Sequence, residues 1–121
     1  MQLCQYAYCR QQIPGHHLRM RWFEFTDEEG SRHEIPEQDK FLIGRAQGCS
    51  LQIEEPGVSR RHACVWAHAG SDWIEDLGSS NGTWLLGDAT PPRRIVDETS
   101  LKNGDRIRIG SRELIYRNDS D

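Results

Sequence analysis

A chain of 121 residues with 36% hydrophobic and 28% charged content has the size and composition of one soluble globular domain with a modest core. Its formal net charge of −4 argues against nucleic acid or anionic membrane as the main partner, because both repel an acidic surface at long range. No apolar run approaches the ~18 residues that cross a bilayer, and no basic flank followed by an apolar stretch opens the chain. Neither a transmembrane segment nor a secretory signal is therefore expected.

Residues 1–17 stand apart as a polar N-terminal appendage. They hold Cys4, Cys9, His16 and His17, whose thiolates and imidazoles are of the types that suit zinc. The spacing counts against a single site: Cys-x4-Cys is at the long limit, and the adjacent His16 and His17 would struggle to reach one tetrahedral ion. An extended arm with free thiols is the preferred reading, with Leu3, Tyr6, Tyr8 and Ile13 available to dock it on the domain or on a partner. Without a secretory signal the cysteines imply no disulfide framework and a reducing compartment. The expected address is the cytoplasm, or the nucleus in a eukaryotic source.

From Leu18 to Arg117 nothing reads as a long helix. Turn signals arrive at short intervals, from Glu29-Gly30 through Pro56-Gly57, Gly70-Ser71 and Asn81-Gly82 to Asn103-Gly104 and Gly110-Ser111. Short alternating runs lie between them, the pattern of an all-β sandwich or barrel. In the first run Leu18, Met20 and Trp22 share one face while Phe23 and Phe25 share the other, which predicts a bulge near Trp22-Phe23. Phe41-Leu42-Ile43 reads as a strand, and His62 to His68 alternates so that both faces are coverable. Thr90-Pro91-Pro92 sits in a loop, because consecutive prolines donate nothing to a ladder. Ile107 and Ile109 face one side and Arg106 and Arg108 the other, and Leu114 and Tyr116 repeat the pattern after a two-residue turn. Residues 118–121 read as a solvated tail.

Three blocks stand out in order between Phe41 and Thr83: Gly44-Arg45, then Ser59-Arg60-Arg61-His62, then Asp76-Leu77-Gly78-Ser79-Ser80-Asn81-Gly82-Thr83. A phosphate monoester carries about −1.5 to −2 charges and three acceptor oxygens, so a site for one needs a fixed cation, inward-pointing donors and close backbone. Arg45 at a strand end supplies a fork of parallel donors. Ser59 after a Pro-Gly turn brings a hydroxyl and the following amides toward an anion. Ser80 and Asn81 stand before Gly82 in a second tight loop. Singly, each of these residues is an ordinary surface charge or turn residue; as an ordered set they are not ordinary.

The set resembles the forkhead-associated (FHA) domain over Leu18 to Arg117, with 1–17 as an appendage and 118–121 as a tail. The resemblance implies a β-sandwich of two twisted, mainly antiparallel sheets that binds phosphothreonine peptides as a signalling adaptor. It implies phosphate contacts from Arg45, Ser59, Arg60 and Ser80, and a bond from Asn81 to the ligand backbone beside the phosphothreonine. Gly44, His62, Gly82 and Thr83 match supporting positions. The implied partner is a phosphothreonine protein or peptide made by a Ser/Thr kinase, with no cofactor, no nucleic acid and no membrane. The alternative is an FHA-fold module that recruits partners through a sheet face or the arm, independently of phosphate.

Enzymatic readings are weak. Gly78 to Thr83 lacks the G-x-x-x-x-G-K-[ST] spacing of a phosphate loop. Ser59, His62 and Asp76 match a nucleophile, base and orienter by type, but without the G-x-S-x-G context. Glu54 and Glu55 precede the turn that delivers Ser59 and are expected near the ligand's path after the phosphothreonine, where they would repel acidic residues.

Overall fold

Short runs of period-two polarity bury one face each when two sheets stack. The computed structural model, which describes residues 20–36 and 40–119, has this arrangement. One sheet is six-stranded, in the order β2 (His33–Glu34), β1 (Arg21–Phe25), β11 (Arg112–Asn118), β10 (Arg106–Ile109), β7 (Thr83–Leu86) and β8 (Arg93–Arg94). The other is five-stranded, in the order β4 (Leu51–Gln52), β3 (Phe41–Gly44), β5 (Ala63–His68), β6 (Ser71–Asp76) and β9 (Thr99–Leu101). The β3–β4 pair is parallel and every other pairing is antiparallel.

Inward side chains of both sheets form one core. Phe23, Ile107, Ile109, Leu114 and Tyr116 come from the larger sheet, and Phe41, Ile43, Val65 and Ile74 from the smaller. Phe23 meets Phe41 across the two layers and Tyr116, its cross-strand neighbour, within its own sheet, both at 5.8 Å between centroids. Burying each such side chain contributes about 1.5–3 kcal/mol, so the core is the main source of stability. The isoleucine alternation in β10 and the Leu114–Tyr116 face of β11 are as the sequence predicts. The Gly110-Ser111 turn joins them, with Gly110 at φ 63 in its first central position.

Three expectations are corrected. No bulge interrupts β1: its register to β11 runs unbroken from Arg21↔Asn118 to Phe25↔Leu114. Arg21, Phe23 and Phe25 face inward, and Trp22 lies on the outer face beneath the Arg32 guanidinium, 3.6 Å from the ring centroid. An aromatic outside and an arginine inside inverted the apparent pattern. Asn118 is no tail residue but the last of β11, and Asp119 is bonded to Met20 through its amide (3.1 Å) and through its carboxylate (2.9 Å). Ladder bonds are made by the backbone, so polar side chains did not end the strand. The β5–β6 turn is centred on Ala69-Gly70 rather than Gly70-Ser71, with Ala69 at φ 54 and Gly70 at φ 82. The appendage with Cys4, Cys9, His16 and His17, together with Leu18, lies outside the described residues.

The registers send β3, β6 and β10 toward the same end of the sandwich. Loops 45–50, 53–62, 77–82 and 110–111 therefore gather there. At the opposite end Arg21 donates from Nε and Nη2 to the two carboxylate oxygens of Asp72, both at 2.8 Å, and Tyr116 donates its hydroxyl to the same carboxylate. This buried cluster staples one sheet to the other. The bond to Asp72 is the main reason that the Arg21 guanidinium is held above its ordinary pKa despite burial.

Candidate functional site

The loop end is built from strand termini that carry hydrogen-bonded loops. β3 ends at Gly44, where a Cβ would stand 2.3 Å from the Arg60 carbonyl oxygen, so only glycine lets the two segments approach. That approach is held by Arg45 N–H to Ser59 O (2.9 Å) and Ala46 N–H to Arg60 O (3.1 Å). The Arg45 Nε–H donates to Val58 O at 3.0 Å, which fixes the guanidinium and leaves its two terminal nitrogens facing outward.

His62 is fully buried and works as a brace. Its Nδ1 accepts the Ser59 amide at 3.0 Å, so Nε2 carries the proton and donates to the Gly82 carbonyl at 2.9 Å. One ring thus ties loop 53–62 to loop 77–82. Two further bonds join these loops: the Ser80 amide donates to Ser59 Oγ (3.1 Å), and Asn81 Nδ2 donates to Gly57 O (2.9 Å). Because the Ser59 oxygen is already an acceptor, its own proton remains for an anion.

Loop 77–82 is shaped by Asp76. One carboxylate oxygen accepts the amides of Gly78 (3.0 Å) and Ser79 (2.9 Å), and the other accepts the hydroxyls of Ser79 (2.5 Å) and Thr83 (2.8 Å). The Ser79 oxygen accepts the Gly82 amide at 2.9 Å. Burial alone would push the Asp76 carboxyl up, but the bonds from Ser79 and Thr83, helped by nearby His62, hold it below the ordinary carboxylate value. Gly82 takes φ 86, the left-handed backbone that turns the chain into β7.

Arg45, Ser59, Arg60, Ser80 and Asn81 line one open cleft of about 220 Å³, with Pro56, Gly57 and Val58. All five residues expected to contact ligand are therefore together. Gly44, His62, Gly82 and Thr83 lie behind them with the structural tasks just described. Two arginines on one cleft give an acidic chain a local cationic site. The catalytic arrangement is not assembled: His62 meets the Ser59 amide rather than its hydroxyl, and its Nε2 lies 3.9 Å from Asp76 while bonding Gly82. Glu54 and Glu55 do not line the cleft. Glu55 accepts the Ser111 hydroxyl and pairs with Arg112 at 3.7 Å, while Glu54 accepts from Gln52 at 3.3 Å. Both carboxylates are thus held by neighbours outside the cleft wall.

Sequence reasoning missed Ser79 and the role of Asp76. A signal was available: an Asp two and three residues before amides at a glycine turn is the pattern of a side chain closing its own loop.

A β-sandwich with an arginine- and serine-lined cleft at one end defines a class of anion-recognising loop modules. The family model described as FHA domain matches residues 41–110. The chain is 33% identical over 94 residues to FHA domain-containing protein FhaA of Mycobacterium tuberculosis, covering 78% of this chain and 16% of FhaA. It is 33% identical over 87 residues to the glycogen accumulation regulator GarA of Mycolicibacterium smegmatis, covering 72% of this chain and 51% of GarA. A solved structure studied for phosphothreonine-dependent FHA domain interactions superposes with a TM-score of 0.68 at 31% identity, covering 81% of this chain and 95% of that one. The chain belongs to the FHA domain family, a family of binding modules. It spans about half or less of the length of these curated relatives.

Proposed function

We propose that this domain binds phosphothreonine-containing segments of partner proteins and acts as a non-catalytic signalling adaptor. The observation that carries the reading is the cleft, where the outward nitrogens of Arg45, the side chain of Arg60, the Ser59 hydroxyl and the Ser80 segment converge over one opening. A phosphate dianion meets charge-assisted donors there, each worth about 1.5–3 kcal/mol. Asn81, anchored to Gly57 through its amide nitrogen, keeps its side-chain oxygen for a ligand backbone N–H. Pro56 and Val58 are the apolar members of the lining and would meet the γ-methyl of threonine. The solved FHA domain of phosphothreonine-dependent interactions supports the same ligand class.

The binding partner in this reading is a Ser/Thr-kinase product, and the expected setting is the cytoplasm. A degenerate phosphothreonine peptide library yields the preferred sequence, which is then titrated as its phosphothreonine, phosphoserine and unphosphorylated forms. Phosphothreonine should bind best. Phosphoserine should be weaker by up to about fourfold, the worth of one buried methyl, and the unphosphorylated form should not bind measurably. Equal affinity for phosphorylated and unphosphorylated peptide would instead favour phosphate-independent recruitment.

A further inference from the structure

The described arginines of this acidic chain divide into two groups. Arg21, Arg32, Arg106, Arg112 and Arg117 each approach a carboxylate at 2.8–3.7 Å. Among the described residues Arg45, Arg60, Arg61, Arg93, Arg94 and Arg108 have no such partner. Arg45 and Arg60 belong to the cleft already described. Arg94 and Arg108 do not, and their position needs a separate account.

Both flank Trp84, which pairs with Arg108 on β10 and with Arg94 on β8, so period-two geometry puts all three on the outer face of the larger sheet. Their guanidinium carbons lie 5.5 Å (Arg108) and 5.9 Å (Arg94) from the indole centroid. The indole N–H donates to the Asn81 carbonyl at 2.9 Å, which ties this platform to the rim of the cleft. Arg94 reaches the Ser79 carbonyl at 3.5 Å, and its Nε stands 2.7 Å from where a Gly82 Cβ would be. Two cations beside one ring repel each other. The carboxylate across from Arg108 on this face, Glu113, is engaged by Arg106 at 3.1 Å, and among the described residues neither Arg94 nor Arg108 has an ion pair. On the other flank of loop 77–82 lies an acidic hollow lined by Glu75, Asp76, Asp97 and Glu98 with Val96. An anionic ligand segment leaving the cleft is repelled from that flank and drawn to the arginine flank.

We propose that Arg94, Trp84 and Arg108 form a second anionic subsite that takes a carboxylate or a second phosphate group on the same peptide as the phosphothreonine. The subsite rests on the phosphopeptide reading above, with Asn81 as the junction between the two. Exposed guanidiniums are screened, so the expected gain is about threefold to tenfold at low salt and shrinks as salt rises.

The test uses phosphothreonine peptides with alanine at every flanking position, with aspartate introduced singly at each position, and with phosphoserine in place of that aspartate. Binding is measured by fluorescence anisotropy at low and high salt to the unaltered domain, Arg108→Gln, and Arg94→Gln with Arg108→Gln. The unaltered domain should favour the acidic residue at one position, and both variants should lose that gain while binding the all-alanine peptide as before. Arg108 lies between Trp84 and Glu113 on the sheet face and makes no bond to loop 77–82, so Arg108→Gln keeps the test valid if the double variant disturbs that loop. A larger gain with phosphoserine than with aspartate assigns the subsite to a second phosphate; an equal or smaller gain assigns it to a carboxylate. An acidic advantage at no position, or one that survives in Arg108→Gln and in a folded double variant, overturns the subsite alone. Failure of the all-alanine phosphothreonine peptide to bind the unaltered domain overturns the phosphopeptide reading beneath it.

Discussion

Each end of the sandwich is organised around a buried or half-buried aspartate on β6, and the two aspartates do different work. Asp72 is saturated by core partners: a two-pronged guanidinium from Arg21 and the hydroxyl of Tyr116, all sealed between the sheets. Asp76, at the other end of the same strand, accepts only local donors from its own loop and from Thr83. The first arrangement joins layers and presents nothing outward. The second sets the shape of loop 77–82 so that Ser80 and Asn81 reach the cleft. One strand thus carries a staple at one end and a template for recognition at the other.

The sharpest way to break this comparison is to truncate the staple. Asp72→Ala leaves a guanidinium buried without its partner and should destabilise the fold by about 3–5 kcal/mol in urea denaturation. The fraction that stays folded should bind phosphopeptide normally. The mirror experiment is Arg45→Ala, which removes outward donors and the loop bond to Val58. It should weaken phosphopeptide binding at least tenfold, since charge-assisted bonds are worth about 1.5–3 kcal/mol each. Stability should change by no more than about 1 kcal/mol.

Asp76→Asn tests whether the template is held by charge-assisted bonds. The amide keeps one acceptor oxygen in place of two, so stability should fall by about 1–2 kcal/mol and binding should weaken with it. The pH dependence carries a sign. Because the folded Asp76 carboxyl sits below its ordinary value of 3.8, its contribution is full above about pH 4. That contribution is lost as pH falls through the depressed folded value. Denaturation at neutral pH and near pH 3 should therefore show a larger acid loss in the natural sequence than in Asp76→Asn. The smallest effect belongs to the staple end, where Ala69 is held at φ 54. Ala69→Asn should stabilise the hairpin by about 0.5–1 kcal/mol, read as a rise in thermal midpoint, with unchanged peptide affinity.

The sequence reveals the two ends unequally. At the loop end, Arg45, Ser59, Ser80 and Asn81 lie in ordered blocks whose residue types state their chemistry, and the structure brings them to one cleft. At the other end, nothing in the local sequence around Arg21 or Asp72 marks either as a buried partner. Their pairing spans fifty-one positions and two sheets, and no local pattern announces such a contact. The same inside-out residue misled the reading of β1, because an inward arginine beside an outward tryptophan mimics a register shift. The Arg94–Trp84–Arg108 platform was hidden for a related reason: it is a cross-strand cluster, and β8 is only two residues long. Long-range pairing of polar groups, rather than hydrophobic periodicity, is what the sequence withheld.

The central claim is that recognition resides in the loop end and depends on phosphate. The most direct test is a backbone and side-chain NMR titration of the domain with a library-selected phosphothreonine peptide and with its unphosphorylated counterpart. The phosphorylated peptide should shift the amides of Arg45, Ser59, Arg60, Ser80 and Asn81 and the Arg45 guanidinium resonances. Signals from Arg21, Asp72 and Tyr116 should stay in place, and the unphosphorylated peptide should move none of these resonances. Shifts centred elsewhere on the sandwich, or the same shifts from both peptides, would contradict the account.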